Sequence, residues 1–324
     1  MRTIWKEIGT ALLLGGLVPL FLVNASALLI GKNVQELPIT VTTVPQVTQS
    51  IQISMRQADG SLERLDLEEY LQGVLLGEMP ADFETEALKA QAVAARTYTV
   101  KALVTGGKHG DGSLCGNSGC CQAYLSPETY LRVGGTQDGL DRIRGAVHGT
   151  GGLVLSYDGG LIESTYFSCS GGRTEDARAV WGTDYPYLRS VPSPGEEEAA
   201  HYQDEISITS GNFQVKLGRK LEGKPDSWFT EVTRTPGGGV ATVKIAGETW
   251  TGTRLRQLLE LPSTVFTITV EADNIVFRTR GFGHRVGMSQ YGADAMAVGG
   301  ADFREILSHY YPGTELVDMT QFVS

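Results

Sequence analysis

Tyr70–Lys101, YLQGVLLGEMPADFETEALKAQAVAARTYTVK, is the stretch from which the rest of the chain is read. Between Tyr70 and Ala81 a single charged side chain occurs, Glu78, with Leu75, Leu76, Met79 and Pro80 around it. A setting poor in water disfavours the charged carboxylate and raises its pKa, which suits a general acid near neutral pH. Pro80 restricts Met79 to extended conformations, so the first helix is expected to stop at or just before Glu78. There the carboxylate meets the negative end of the helix macrodipole, which raises its pKa further. A second helix is predicted from about Glu86 to Leu103, with Leu88, Ala92 and Arg96 on one face. An arginine aligned with apolar positions turns inward and needs an acceptor; Glu78 is the candidate. Two readings follow, a helical hairpin held by a structural ion pair and a hairpin presenting a catalytic acid.

The chain has 324 residues and a formal net charge of −10. That balance argues against nucleic acid and against an anionic membrane surface as an electrostatic partner. Arg2 and Lys6 precede Gly9–Ile30, 22 residues without a charge, enough to span a hydrocarbon core of roughly 30 Å. Positive charge in front of the span places the N-terminus in the cytoplasm and the body outside. The expected organisation is a cytoplasmic tip and single transmembrane helix over residues 1–31, then an extracytoplasmic catalytic region over 32–324. Ala25-Ser26-Ala27 offers the alternative of a cleaved signal peptide.

Beyond the anchor, Gln35–Arg56 reads as a spacer with one or two strands, and Asp66 with Glu69 as a capping box opening the first helix. Gly106-Gly107 ends the second. Residues 105–121, TGGKHGDGSLCGNSGCC, place His109, Cys115, Cys120 and Cys121 within 13 residues of a glycine-rich loop. Thiolate and imidazole are tetrahedral zinc ligands, and four of them leave no open position, so such a site would be structural. The alternative is a disulfide from Cys115 to Cys120 or Cys121, with His109 exposed.

Three β-hairpins are predicted. The first is Gly152–Tyr157 with Leu161–Phe167 around Asp158-Gly159; the second is Phe229–Thr235 with Val240–Ala246 around Pro236–Gly239. The third is Val265–Val270 with Ile275–Arg280 around Asp273-Asn274. The first delivers Tyr166, Ser168, Cys169, Ser170, Gly171, Gly172 and Arg173; the two glycines let backbone approach a ligand, or simply form a tight turn. Cys169 has no recognisable base beside it and reads as a small filler. Ser193–Ala200, with three consecutive glutamates, reads as a solvated loop, and Glu84, Glu86 and Glu175 as surface carboxylates. Short helices are expected at Thr253–Leu259, from about Ser289 and near Asp302–His309. The fold class is α+β: a helical active-site segment with β-hairpins forming a cleft.

GEMPADFETEALKAQAVAARTYT, TYFSCSGGRTEDARAVWG and GHRVGMSQYGADAMAVGG, in this order, closely resemble the motifs of the stage II sporulation protein D family, and the similarity covers roughly residues 40–315. The resemblance implies a membrane-anchored lytic transglycosylase acting on peptidoglycan glycan strands freed of stem peptides, during engulfment of the forespore. Glu78 falls at the family's catalytic glutamate. Tyr166, the Ser170-Gly171-Gly172 motif, Arg189, His284, Ser289, Gln290 and Tyr311 fall at cleft positions, and Arg96 is expected to steady Glu78 from the same side. Some members bind zinc through residues at the positions of His109, Cys115 and Cys121; Cys120 stands where they have histidine. Arg285 stands where the family usually has glycine, which leaves the loop conformation and the role of His284 open. The stage II sporulation proteins P and M are implied as partners. A relative in the same superfamily that enhances a wall amidase without catalysis supplies the alternative function, a glycan-binding module.

Overall fold

A computed structural model describes residues 50–323. The predicted anchor and the spacer up to residue 49 lie outside the described residues, and the end of the predicted spacer forms the strand Gln52–Arg56; among the described residues no helix is long and apolar enough to cross a membrane. What is described is a mixed α+β structure with several small sheets around two hydrophobic cores.

The first core is built on the predicted helical pair. Helix α1 spans Leu67–Glu78, with Asp66 Oδ1 accepting from the Glu68 and Glu69 backbone N–H groups at 2.8 and 3.4 Å. It stops at Glu78 because Met79, ahead of Pro80, is extended (φ −131°, ψ 146°). Helix α2 spans Thr85–Thr105 and ends at Gly106 in the left-handed region (φ 86°). It is buried nearly all round, as befits a helix at the centre of a core rather than on its surface.

Leu88, Ala92 and Arg96 do point inward, each fully buried. The acceptor for Arg96 is not Glu78, however. Its Nε and Nη2 donate to the two carboxylate oxygens of Glu68 at 2.8 and 2.7 Å, and its other donors reach Thr150 Oγ1 and the Val147 and Leu153 carbonyls. Antiparallel geometry dictates this. Arg96 lies eleven residues into α2, about 16 Å from its start, and is therefore level with the beginning of α1. Arg96 is a structural residue of the hairpin.

The helix Gln137–His148 and a sheet in which Leu153–Tyr157 pairs with Glu315–Asp318 complete this core. The first predicted hairpin forms only at its turn, where Gly160-Leu161 pairs with Ser156-Tyr157. Tyr166-Phe167 then leaves that sheet and pairs in parallel with Met288-Ser289, joining two of the three motif stretches.

The second core fills the space between two three-stranded antiparallel sheets and two helices, Ser210–Leu217 and Gly252–Leu259. In one sheet Phe229–Arg234 and Val240–Ile245 form the second predicted hairpin, extended by Glu248–Thr251. In the other, Val265–Glu271 and Asn274–Arg280 form the third, with Gln203–Thr209 on its far edge. Phe213, Val243, Ile245, Leu255, Ile275 and Phe277 are fully buried between them.

Candidate active site

A cleft of about 880 Å³ opens at the C-terminal end of α1. Of the residues singled out in the sequence, Glu78, Tyr166, His284 and Gln290 line it, and so does the metal-candidate Cys121. A second cavity, about 690 Å³ on the outer sheets, contains none of them.

Glu78 is half-buried, and its Oε1 accepts a 2.6 Å hydrogen bond from the Ala123 backbone N–H. Burial pushes its carboxyl pKa up; the Ala123 bond and the Gln290 side chain pull the other way without cancelling that rise. Gln290 is buried, and its Nε2 makes no hydrogen bond of normal geometry. Ala123 reaches Glu78 because two glycines let the chain lie against α1. A Cβ on Gly77 would come within 2.9 Å of the Tyr124 backbone nitrogen, and one on Gly73 within 2.2 Å of the Tyr124 ring. The Leu125 N–H bonds to the Gly73 carbonyl at 2.9 Å.

The segment that carries Ala123 begins in the cysteine loop. His109, Cys115, Cys120 and Cys121 offer ligand atoms that all lie within 4.8 Å of one another. His109 Nε2 lies 3.8 Å from Cys120 Sγ and 3.6 Å from Cys121 Sγ, and those two sulfurs are 3.9 Å apart. A tetrahedral ion with S and N ligands at about 2.3 and 2.0 Å would separate them by about 3.5–3.8 Å, so this cluster fits a metal ion. No disulfide competes: the four cysteines are all free. Gln122, next in the chain, ties the loop to the helices. Its Oε1 accepts from the Tyr166 hydroxyl at 2.8 Å and its Nε2 donates to Thr99 Oγ1 at 3.0 Å.

His284 stands on the cleft wall between Phe167 and Trp181. Burial, reinforced by Arg256 and Lys108, lowers its pKa to about 4, so the ring is neutral at physiological pH. Its Nδ1 accepts from the Val286 N–H at 3.1 Å. Next to it, Arg285 adopts the left-handed backbone conformation (φ 66°) that suits a glycine. Its guanidinium turns fully inward. It donates to Ser170 O at 2.7 Å, Arg173 O at 2.6 Å and Gly237 O at 2.8 Å, and pairs with Glu175 at 3.2 Å. Glu175 is thus a fully buried partner and not a surface carboxylate.

The Ser-Gly-Gly motif does not face the cleft. Glu196, in the stretch read as a solvated loop, is buried at its centre. Its Oε2 accepts from Ser170 N at 2.8 Å, Ser170 Oγ at 2.7 Å and Gly171 N at 2.9 Å; its Oε1 accepts from Ser193 Oγ at 2.6 Å and Ser289 Oγ at 2.5 Å. Ser170 and Ser289 are accordingly fully buried. Gly171 (φ 72°) is needed for close approach to the chain itself, since a Cβ there would meet the Arg280 carbonyl carbon at 2.9 Å; the Gly172 N–H donates to Ser170 Oγ at 3.0 Å and to Glu196 Oε2 at 3.4 Å. Cys169, its thiol pushed up to about 12 by burial and by Glu196, is the inert filler expected. Tyr311 is fully buried, its hydroxyl on the Thr165 carbonyl, and Arg189 pairs with Asp176 and Asp184 outside the cleft lining.

In their place the cleft presents Trp181, Phe282, Tyr185, Lys108 and Glu163, which the sequence reading did not select. Glu163 is bound to Lys101 at 2.6 Å. An exposed aromatic breaks no periodicity, and the sequence signal for Trp181 was limited to its place at the end of a motif.

Comparison with known proteins bears on the whole arrangement. The family model described as stage II sporulation protein matches residues 56–157, which hold Glu78, both helices and the cysteine loop. Stage II sporulation protein D of Bacillus subtilis (strain 168) is 42% identical over 274 residues, covering 83% of this chain and 79% of that protein. The protein of the same name from Bacillus amyloliquefaciens is 40% identical over 273 residues, with the same coverage. An amidase enhancer of Bacillus subtilis (strain 168) is 28% identical over 76% of this chain and 40% of its own length. With that identity over that span, and with Glu78 on the wall of its cleft, this chain belongs to the stage II sporulation protein D family.

Proposed function

We propose that this chain is a lytic transglycosylase that cleaves the β-1,4 bond between N-acetylmuramic acid and N-acetylglucosamine in peptide-free peptidoglycan strands during sporulation. The observation that carries this reading is Glu78: a half-buried carboxyl of raised pKa, on the wall of a long cleft, with one fixed hydrogen bond. Its proton passes to the glycosidic oxygen as the C1–O bond breaks, with positive charge developing at C1. The resulting carboxylate then takes the proton of the muramic acid 6-hydroxyl as that oxygen bonds to C1. The product is a 1,6-anhydro end, and no water is consumed. The Ala123 N–H holds the carboxylate in place through both steps, and neutral His284 takes no proton in either.

Zinc is the metal proposed for His109, Cys115, Cys120 and Cys121. Bound there it would cross-link the loop that carries Ala123, a structural contribution. Retention of residues 1–31 as a membrane anchor, an extracytoplasmic catalytic region, and association with the stage II sporulation proteins P and M complete the proposal.

The similarity to an amidase enhancer favours a second reading, binding without cleavage. Glu163, a second carboxylate on the cleft wall, raises the case of ordinary hydrolysis. One experiment separates the three. Peptide-free glycan strands are incubated with the purified chain in ¹⁸O-labelled water and the products weighed by mass spectrometry. Anhydro ends without ¹⁸O support the proposal; reducing ends carrying ¹⁸O overturn it in favour of hydrolysis, and uncleaved strands in favour of binding.

A further inference from the structure

Nine large apolar side chains are left exposed among the described residues. Seven are aliphatic and scattered; the two aromatic ones, Trp181 and Phe282, 42% and 40% exposed, both line the Glu78 cleft. An exposed aromatic at a concave site is the informative kind of exposure, because a folding chain gains by burying so large a ring.

Both rings are held from behind. Trp181 ends the short helix Ala177–Trp181, which is closed by Gly182 in the left-handed conformation (φ 78°). Its ring packs on His284 at 5.4 Å, and His284 packs in turn on Phe167 at 5.7 Å. Phe282 lies on His201 with ring centroids 4.8 Å apart and planes at 30°. Its backbone is clamped to Cys169 by two hydrogen bonds of 2.7 and 3.3 Å. Rings fixed before a ligand arrives lose little rotamer freedom on binding. Because His284 stays neutral, the face of Trp181 keeps its negative quadrupole without a competing charge beneath it.

We infer that Trp181 and Phe282 are stacking platforms for the pyranose faces of a glycan strand, with His284 as the positioning residue that holds Trp181 toward it. The C–H edges of a β-linked pyranose carry partial positive charge and meet the negative ring faces, while the polar groups of the cleft meet the hydroxyl and acetamido groups. This inference rests on the reading that a glycan occupies the cleft. It adds that affinity is carried by rings which take no part in proton transfer.

Fluorescence tests it directly, because Trp228 and Trp250 are buried and Trp181 is the exposed tryptophan among the described residues. Peptide-free glycan strands are titrated into the full chain carrying Glu78→Gln, which keeps substrate intact. The same titration is made with Trp181→Phe added, so that the difference isolates the Trp181 signal. A saturable emission change that disappears with Trp181→Phe is expected. Trp181→Ala should weaken binding at least about tenfold, whereas Trp181→Phe should retain most of the affinity. In the otherwise native chain Trp181→Ala should raise KM far more than it lowers kcat, the reverse of Glu78→Gln. A folded Trp181→Ala, Phe282→Ala double variant with unchanged KM and strand affinity overturns the platforms, even if the native chain cleaves strands. Saturable binding through Trp181 by a native chain that yields no product supports the platforms and removes the cleavage reading instead.

Discussion

Two carboxyl side chains, Glu78 on the cleft and Glu196 in the interior, are opposites in how their oxygens are used. Glu196 accepts from three backbone N–H groups, three hydroxyls and the Cys169 thiol, and the shell is closed around it. Glu78 accepts one backbone N–H, lies near the Gln290 amide, and faces an open cleft with its remaining lone pairs. The saturated side chain has no oxygen left to offer a substrate, and it binds the Ser170-Gly171 turn to Ser193 and Ser289. The unsaturated one is anchored at a single point and free to change protonation state. The proposed function accordingly assigns the chemistry to the carboxylate with fewer partners, while the motif richest in hydrogen bonds is architecture.

Substituting each carboxylate breaks or confirms that contrast. Glu78→Gln keeps the volume and the acceptor for Ala123 N–H but removes the proton. Anhydro product should fall by at least about 10²-fold, and by up to about 10⁴-fold, with the melting temperature unharmed. Retention of most activity by a folded variant would pass the role to another carboxylate, with Glu163 next to be tested. Glu196→Ala should do the reverse. Removing one buried acceptor strands donors from Ser170, Gly171, Ser193 and Ser289, at a cost of about 3–5 kcal/mol in denaturant unfolding. Activity per folded molecule should change little. A stability loss under about 1 kcal/mol would show that Glu196 is not the knot described.

The metal loop gives a third test, of somewhat smaller size. A metal that saturates its site at about 100–1,000 times Kd stabilises the fold by about 3–4 kcal/mol, so chelation should lower the melting temperature correspondingly. Hydrogen exchange should quicken at Gln122 and Ala123, one and two residues from the candidate ligand Cys121, and not at Gly171 in the Glu196 knot. Purified protein with no metal, or equal exchange at both places, would separate the loop from the cleft.

The parts of this contrast that were legible in the sequence were the local ones. Pro80 fixes the end of α1, so Glu78 had to sit at a helix terminus. Four soft ligands in 13 residues of glycine-rich loop come together because such a loop has few other ways to use them. The two strands of the third hairpin were legible too, although its turn is Ala272-Asp273, one residue before the predicted Asp273-Asn274, with Glu271 opposite Asn274. What failed was everything that depends on partners distant in the chain. Arg96 was correctly turned inward, but its acceptor follows from the antiparallel packing of α1 on α2, which brings Glu68 level with it. Tyr166 sits in a run that reads as a hairpin strand, yet it pairs with Met288, 122 residues away. Glu196 is one of three consecutive glutamates, and nothing local marks it as the buried one. Gly171 and Gly172 signalled close approach, but a glycine does not say whether a ligand or its own backbone approaches. Trp181 and Phe282 left no periodic trace because they belong to no buried face.

The smallest expected effect is the pH dependence of stability, and it tests the electrostatics of Glu78 alone. Its pKa is raised in the folded state above the ordinary 4.5, with burial as the leading cause. Between the ordinary and the raised value the folded chain therefore binds more protons than the unfolded chain, and stability falls as pH rises through that window. Above the raised value the whole penalty of holding a charged carboxylate in a poorly hydrated place is present; below pH 4.5 it is absent. Glu78→Gln carries no such penalty. The variant should melt at the same temperature as the native chain in acid and above it at neutral pH, with a gap that opens upward from the ordinary carboxylate range and then levels off. Parallel melting curves of the two proteins from pH 4 to pH 8 measure that gap, because every other titrating group cancels in the difference. If the native chain gains on the variant as pH rises, Glu78 is stabilised as a carboxylate in the fold. A proton held ready for the glycosidic oxygen would then have to come from elsewhere.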